Sequence, residues 1–316
     1  MRFSVITVCL NPGSKLKITL DSVLGQSCKD FEVIVKDGGS TDGSVEAWRR
    51  EAAEGEGTVL RGAAQGEDAA CLEPVGVESG VWQEGAEEGE AAWQESVASG
   101  RVRVFVGKDG GIYDAMNRAA AHAVGDFVIF MNCGDVFADD RVLERVEEHI
   151  RERERSGADL RRLVLYGDTV NGADGVTIAS APAITGFTCY RNIPCHQSCF
   201  YARQLCVEKP YDLQYRIRAD YDHFLWCFYR AGAAFAHVGF PVAVYEGGGY
   251  SESRDNRRRD REEHRQITAA YMGKRELLRY RLVMALTLAP LRRAVAGNRA
   301  FSGLYHWVKG KLYKKG

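Results

Sequence analysis

The chain has 316 residues, 45% of them hydrophobic, with 42 basic and 43 acidic side chains. That composition excludes a wholly disordered protein and leaves room for one large or two small domains around a sizeable core. The formal net charge of −1 shows no overall bias toward nucleic acid or an anionic surface. Nine cysteines are present, none in a Cys-x-x-Cys pair. The cluster Cys195, His196, Cys199 and Cys206 fits no familiar zinc spacing, so buried thiols are expected. With no secretory leader evident, the expected compartment is the reducing cytoplasm.

In chain order, Phe3–Val8 reads as a buried strand rich in β-branched residues. Asn11-Pro12-Gly13 breaks it. Ser14 then caps a helix whose apolar positions Leu16, Leu20, Val23 and Leu24 recur at helical spacing. Phe31–Val35 is a second strand, followed by the loop Asp37–Gly43 and a helix from about Ser44. Strand, helix, strand, helix at this spacing implies a parallel sheet with right-handed crossovers.

Residues 51–100 interrupt the pattern with twelve acidic residues, one basic residue, nine glycines and ten alanines. So little apolar surface does not offset the entropy of ordering a chain, and a disordered acidic insertion is expected there. Regular structure resumes with a strand over Arg101–Val106, a loop at Gly107–Gly111 and a helix over Tyr113–Val124 with Gly125 as its C-cap. The strand Phe127–Met131 runs into the turn Asn132-Cys133-Gly134-Asp135, and a charged helix spans about Asp139–Arg155. Leu163–Ala181 reads as strands and turns. A helix over Ala219–Ala231 precedes two short strands near Phe235–Val238 and Val242–Tyr245. From Arg254 the chain reads as helical and basic.

In open parallel sheets, ligands bind beyond the carboxyl ends of the strands. Four polar loops leave such ends here, at Asn11, Asp37–Asp42, Asp109–Gly111 and Asn132–Asp135. A rim of glycines and carboxylates suits a sugar or nucleotide bound with a divalent metal.

Four segments in order, Ser4–Val8 with Asn11, Val33–Gly43, Asp109–Asn117 and Asn132–Asp135, resemble the inverting glycosyltransferases of family 2. The run Asp109-Gly110-Gly111-Ile112-Tyr113-Asp114-Ala115-Met116-Asn117 is similar to a branch that serves bacterial exopolysaccharide assembly. The resemblance covers about residues 1–50 and 101–250. It implies an α/β protein of the GT-A fold, with a mostly parallel nucleotide-binding sheet flanked by helices. It also implies one glycosyltransferase domain over 1–253, carrying the 51–100 insertion, and a basic helical extension over 254–316.

The resemblance further implies roles for particular residues. Thr7, Asn11, Asp37, Gly38, Gly39, Asp109, Gly111, Asn117 and Asn132 would line a nucleotide-diphosphate sugar, most simply a UDP-sugar. A carboxylate such as Asp37 can accept hydrogen bonds from a uracil imide or a ribose hydroxyl, and the glycines let the backbone bend beside the ligand. Asn132–Asp135 stands where the family carries an Asp-x-Asp metal motif. It keeps one carboxylate, Asp135, to hold Mn2+ or Mg2+. In Arg218-Ala219-Asp220-Tyr221-Asp222 the family's Glu-Asp pair is reduced to Asp220, the implied catalytic base, with Asp222 as competitor and N-terminal capping as the plain alternative for both. His196 and Gln197, and the loop containing Gly248, Gly249 and Ser251, are implied on the acceptor or diphosphate side.

The implied partners are a nucleotide-diphosphate sugar and a polysaccharide or lipid-linked acceptor; nucleic acid is not expected. Residues 254–316 carry seventeen Lys and Arg against five Asp and Glu. With Tyr305, Trp307 and Tyr313 among lysines, they suit an anionic membrane surface at the inner face of the plasma membrane, or a helical cap packed on the enzyme. Two other classes stand beside the enzyme: a nucleotide-sugar-binding subunit with little catalysis, favoured by the reduced metal motif, and a nucleotidyltransferase. The latter needs a glycine-rich phosphate loop that Asn11-Pro12-Gly13-Ser14-Lys15 hardly supplies.

Overall fold

Phe3–Cys9 (β1) and Phe31–Asp37 (β2) are buried at every position, as expected of strands covered on both faces. They pair in parallel from Phe3 opposite Phe31 to Cys9 opposite Asp37. The crossover helix α1 (Lys15–Leu24) buries Leu16, Thr19, Leu20 and Val23. Ser14 holds its N-cap position without a side-chain capping bond. These coordinates are a computed structural model describing residues 1–52, 83–84, 91–97, 100–246 and 256–286.

Residues 44–52 form α2. The short β3 (Gln83–Glu84) pairs with β4 (Ala91–Val97). Gly100–Val106 (β5) lies parallel to the free edge of β2, and Phe127–Phe130 (β6) lies parallel to the other edge of β1. Between β5 and β6 runs α3 (Ile112–Ala121), which buries Ala115, Met116 and Ala119. After β7 (Val136–Phe137) and α4 (Val142–Arg155) come β8 (Leu163–Asn171), β9 (Thr177–Ile178) and α5 (Gly186–Arg191). They are followed by β10 (Cys199–Ala202), α6 (Arg203–Glu208), α7 (Ala219–Tyr229) and β11 (Ala234–Tyr245). The described residues make one eleven-stranded mixed sheet in the order β3-β4-β5-β2-β1-β6-β10-β8-β11-β7, with β9 on β8. Its centre, β5-β2-β1-β6, is parallel as the sequence predicts, whereas apart from β8 with β11 the outer pairings are antiparallel, so the sheet is mixed rather than mostly parallel.

The structure corrects three expectations about elements. Residues 91–97, read as part of a disordered insertion, pair antiparallel with β5 from Ala91–Val106 to Val97–Gly100. An Ala- and Glu-rich composition hides this strand, because backbone pairing to the edge of β5 depends little on apolar side chains. The two short strands expected after Ala231 are one strand, β11, with irregular register around Pro241. Proline within a sheet sits at such irregularities because it has no N–H to donate to the ladder. Helix α3 ends at Ala121 with His122 as C-cap, not at Gly125. Gly125 instead abuts β1, where a Cβ would lie 2.6 Å from the Phe3 carbonyl carbon and the Ser4 nitrogen.

From the basic C-terminal region, α8 (Asn256–Tyr271) and α9 (Lys274–Leu286) are described. Helix α8 packs against α7, with Ile267 fully buried and Glu263 and Thr268 nearly so. Among the described residues, no helix is long and apolar enough to cross a membrane.

Candidate active site

At the carboxyl ends of β1, β5 and β6 lies a cavity of about 690 Å³, lined by the 8–12 and 109–115 segments, Lys15, Asn132, Cys133, Leu213, Tyr215 and Arg216. A second cavity of about 410 Å³ adjoins it and contains Asp135, His196, Gln197 and Asp220. Ile112, Tyr113, Asn132, Cys133 and Arg216 line both.

Backbone geometry builds the larger cavity. Asn11 adopts a left-handed conformation with φ 48°. There its amide oxygen accepts from Thr41 N at 2.8 Å, while its own N–H donates to Ser40 Oγ at 2.7 Å. The β1 and β2 loops are thereby laced together. Asp37 is buried, and its carboxylate is held by its own loop, accepting from Ser40 N at 3.0 Å and from the Ser40 hydroxyl. Gly38 faces Asp109, whose Oδ2 would be 2.8 Å from any Cβ at position 38. Asp109 Oδ1 accepts from Gly111 N at 3.0 Å, and Gly111 opens α3 with φ 120°, open to glycine and few others. Buried Lys36 donates to the carbonyls of Asp37 and Gly107 and lies 3.9 Å from Asp109 Oδ2, tying the ends of β2 and β5 to that carboxylate. Burial and the adjacent Cys133 push the Cys9 thiol far above its usual range, the Cys133 contact foremost, so Cys9 is a neutral thiol.

Side chains from distant parts of the chain build the smaller cavity. Asp220 lies in the first turn of α7, and its Oδ1 is 2.9 Å from the Tyr113 hydroxyl. Its Oδ2 is 3.4 Å from His196 Nδ1. Burial pushes the Asp220 carboxyl up, but His196, the Tyr113 hydroxyl and the Tyr221 backbone N–H outweigh it and hold the group below the usual carboxylate range. His196 Nε2 is 3.0 Å from Asn132 Nδ2. The ring thus stands between Asn132, on its Nε2 side, and Asp220, on its Nδ1 side. The same arrangement leaves Asn132 Oδ1 buried without a hydrogen-bond partner.

Asp135 is 4% exposed. Its Oδ2 accepts from Gln197 Nε2 at 2.9 Å and its Oδ1 from Glu246 N at 3.0 Å. Burial dominates and raises its carboxyl, with both hydrogen bonds opposing. The turn is anchored on α1, where the Thr19 hydroxyl accepts from Gly134 N and donates to the Asp135 carbonyl, each at 2.9 Å. Gly134, at φ 99°, leaves room for Glu246, which pairs with Lys15 at 2.7 Å.

Thus Asn11, Asp109, Gly111 and Asn132 line the larger cavity, and Asn132, Asp135, His196, Gln197 and Asp220 the smaller. Thr7, Asp37, Gly38 and Gly39 line neither; Thr7 is fully buried with an unpartnered hydroxyl. Two residues lie away from this group. The Asn117 amide donates to and accepts from the Tyr211 backbone, both at 2.8 Å, beside a separate cavity of about 260 Å³. Asp222 is buried against Lys209 at 3.1 Å and the Tyr271 hydroxyl at 3.0 Å. Gly248, Gly249 and Ser251 lie outside the described residues, as do residues 287–316 of the basic region. Tyr113 and Arg216 escape a reading by sequence alone. Tyr113 stands inside a quoted motif, whereas nothing near Arg216 marks it.

A divalent cation fits this donor set sparsely. Among the described residues no three His, Cys, Asp or Glu side chains converge as a metal cage. Asp135 and the orphaned Asn132 oxygen are hard ligands of the kind that hold Mg2+ or Mn2+ together with substrate phosphates.

The larger cavity, at the carboxyl ends of parallel strands, thus adjoins one that holds two carboxylates, Asp135 and Asp220. The family model "Glycosyl transferase family 2" matches residues 4–68 and 84–202, more than half of the chain, and the chain belongs to that family. It is a glycosyltransferase. Over 253 residues it is 28% identical to a "PGL/p-HBAD biosynthesis glycosyltransferase" of Mycobacterium tuberculosis, covering 79% of each chain. Among solved structures, Staphylococcus aureus TarS 1–349 in complex with UDP aligns with TM-score 0.55 and 19% identity, over 86% of this chain and 65% of that one. The mannosyltransferase PcManGT of Pyrobaculum calidifontis, in complex with GDP-Man and Mn2+, aligns with TM-score 0.54 and 14% identity, over 99% of this chain and 86% of that one. At those identities both show the GT-A fold.

Proposed function

We propose that the chain transfers a sugar from a nucleotide-diphosphate donor, a UDP-sugar, to a polysaccharide or lipid-linked glycan, with inversion at the anomeric carbon. The observation that carries this reading is Asp220, a carboxylate held ionised by His196 and Tyr113 and opening onto a cavity that shares a wall with the nucleotide-sized one. An acceptor hydroxyl in the smaller cavity would give its proton to Asp220 as its oxygen attacks the anomeric carbon opposite the diphosphate. One displacement inverts the configuration. Asn11, Asp109 and Gly111 would hold the nucleoside and sugar, and the charge of Asp109 would be balanced by Lys36. Asp135 and Asn132 Oδ1 would hold Mn2+ or Mg2+, which when bound neutralises charge on the leaving diphosphate. Support for a nucleotide-sugar donor also comes from the nucleotides carried by the two solved neighbours.

The test is transfer from a panel of UDP- and GDP-sugars with Mn2+, comparing wild type with Asp220→Asn and assigning product anomeric configuration by NMR. Full transfer by the variant, or retained configuration, would overturn the assignment. Calorimetric Mn2+ titration in the presence of UDP, with Asp135→Asn as control, tests the metal site apart from turnover.

A membrane-surface role for the C-terminal region fits the same reading. Helix α9 leaves Leu278, Leu282 and Leu286 exposed at four-residue spacing, alongside Arg275 and Arg279. Co-sedimentation with anionic vesicles should weaken when these leucines are replaced by serine; unchanged binding counts against the role.

A further inference from the structure

One cation of the cleft has no assigned work. Lys15 is bound to Glu246, and Arg218 is bound to Asp260 at 2.7 Å with its guanidinium 5.3 Å from the centre of the Tyr221 ring. Lys36 is spent on two carbonyls beneath the floor. Arg216 is different. Of the five residues that line both cavities, it alone carries a permanent charge. It is exposed, and among the described residues its guanidinium makes no ion pair or hydrogen bond.

Its backbone, by contrast, is fixed. The carboxylate of Glu263 on α8, 5% exposed, accepts from three successive N–H groups: Arg216 at 3.0 Å, Ile217 at 3.0 Å and Arg218 at 2.9 Å. A charged acceptor taking three N–H groups holds a segment far more firmly than a turn holds itself. Asn132 borders the same junction and brings the buried, unpartnered Oδ1. A rigidly mounted, unpaired guanidinium at the meeting of two cavities matches the geometry and charge of a phosphate, which its planar fork can take with two hydrogen bonds.

We propose that Arg216 binds a phosphate group at the junction of the two cavities. The group has two possible sources, the diphosphate of the donor or a phosphate carried by the acceptor. This rests on the nucleotide-sugar reading above. Guanidinium contacts of this kind act on the phosphate and not on the nucleoside, so Arg216 governs affinity for the charged part of the ligand alone.

The experiment is calorimetric titration of the full chain, wild type, Arg216→Lys and Arg216→Met, with inorganic pyrophosphate, UDP and uridine at constant ionic strength. Arg216→Met should weaken pyrophosphate roughly tenfold or more, and UDP with it where the phosphate is the donor's, and leave uridine unchanged, with Arg216→Lys in between. Saturating wild type with UDP separates the sources. Loss of Arg216-dependent pyrophosphate binding assigns the phosphate to the donor, and its persistence assigns it to the acceptor. The proposal is overturned if Arg216→Met binds pyrophosphate and UDP as wild type does, or if wild type takes up neither. If wild type binds pyrophosphate through Arg216 but no nucleoside diphosphate, the nucleotide-sugar reading fails and the phosphate site stands.

Discussion

Around the larger cavity most loop fastenings are short in sequence, Asp37 to Ser40, Asp109 to Gly111, Asp114 to Gly110 and Asn11 to the β2 loop 30 residues on, with Lys36 reaching Gly107 across 71 and Lys15 reaching Glu246 across 231. Around the smaller one they are long. Tyr113 reaches Asp220 across 107 residues, Gln197 reaches Asp135 across 62, and Glu246 N reaches Asp135 across 111. The larger cavity is therefore shaped largely by loops that form their own geometry. The smaller cavity exists only when β6, the 196–198 turn, α7 and α8 are all docked. Substitutions should separate accordingly, shifting ligand affinity on the first side and the protonation and placement of Asp220 on the second.

The largest effect expected is from Asp220→Asn. Loss of a general base lowers kcat by roughly 10² to 10⁴, while UDP affinity measured by calorimetry stays within twofold of wild type, on the order of experimental scatter. Next comes His196→Ala. Removing the group that stabilises ionised Asp220 raises its pKa. A base is active only when deprotonated, so the acid limb of the kcat/KM profile should move to higher pH; an unmoved limb would show that His196 does not set the charge of Asp220. Tyr113→Phe should move the limb in the same direction by a smaller amount, since one hydrogen bond is lost and no imidazole. At the larger cavity, Gly111→Ala forces a side chain into φ 120° and should weaken UDP binding several-fold while leaving the acid limb in place. An effect of Gly111→Ala on the limb, with UDP affinity intact, would dissolve the distinction between the two sides.

The smallest effect on catalysis, though not on stability, is expected beneath α7. Burial lowers the pKa of His223 to about 4, and its Nδ1 lies 2.7 Å from the Lys209 carbonyl. A histidine whose native pKa lies below its unfolded value stabilises fully above the unfolded value and loses that contribution as pH falls to about 4. Wild type should therefore lose on the order of 3 kcal/mol between about pH 6.5 and pH 4 from this group. Denaturant melts of His223→Gln should show a shallower decline across that window.

This contrast also explains what could be read from the residues in order. Buried β-branched runs announced β1, β2 and β6, and short-range loop chemistry announced Asn11, Asp109 and Gly111, because both are local properties. The position of Asp220 relative to Asp222 was legible only as a ranking. The structure separates them by what lies opposite, His196 and Tyr113 for one, Lys209 and Tyr271 for the other. Asn117 was placed with the ligand because it shares a motif with Asp109, yet one turn along α3 is enough to face Tyr211 instead. Arg216 and Glu263 were silent, since an arginine and a glutamate in charged surroundings carry no mark of a contact made between residues 47 positions apart. Residues 91–97 are invisible to composition, which reports on side chains, because their strand is a backbone event.

The grip of Glu263 on the segment before α7 also bears on synthesis. Every family motif lies on the N-terminal side of α8, so a growing chain contains all of its catalytic vocabulary before the residue that sets Arg216–Arg218 in place has been made. The Arg216–Arg218 segment, which borders both cavities, is set in place only after α8 has followed the motifs out.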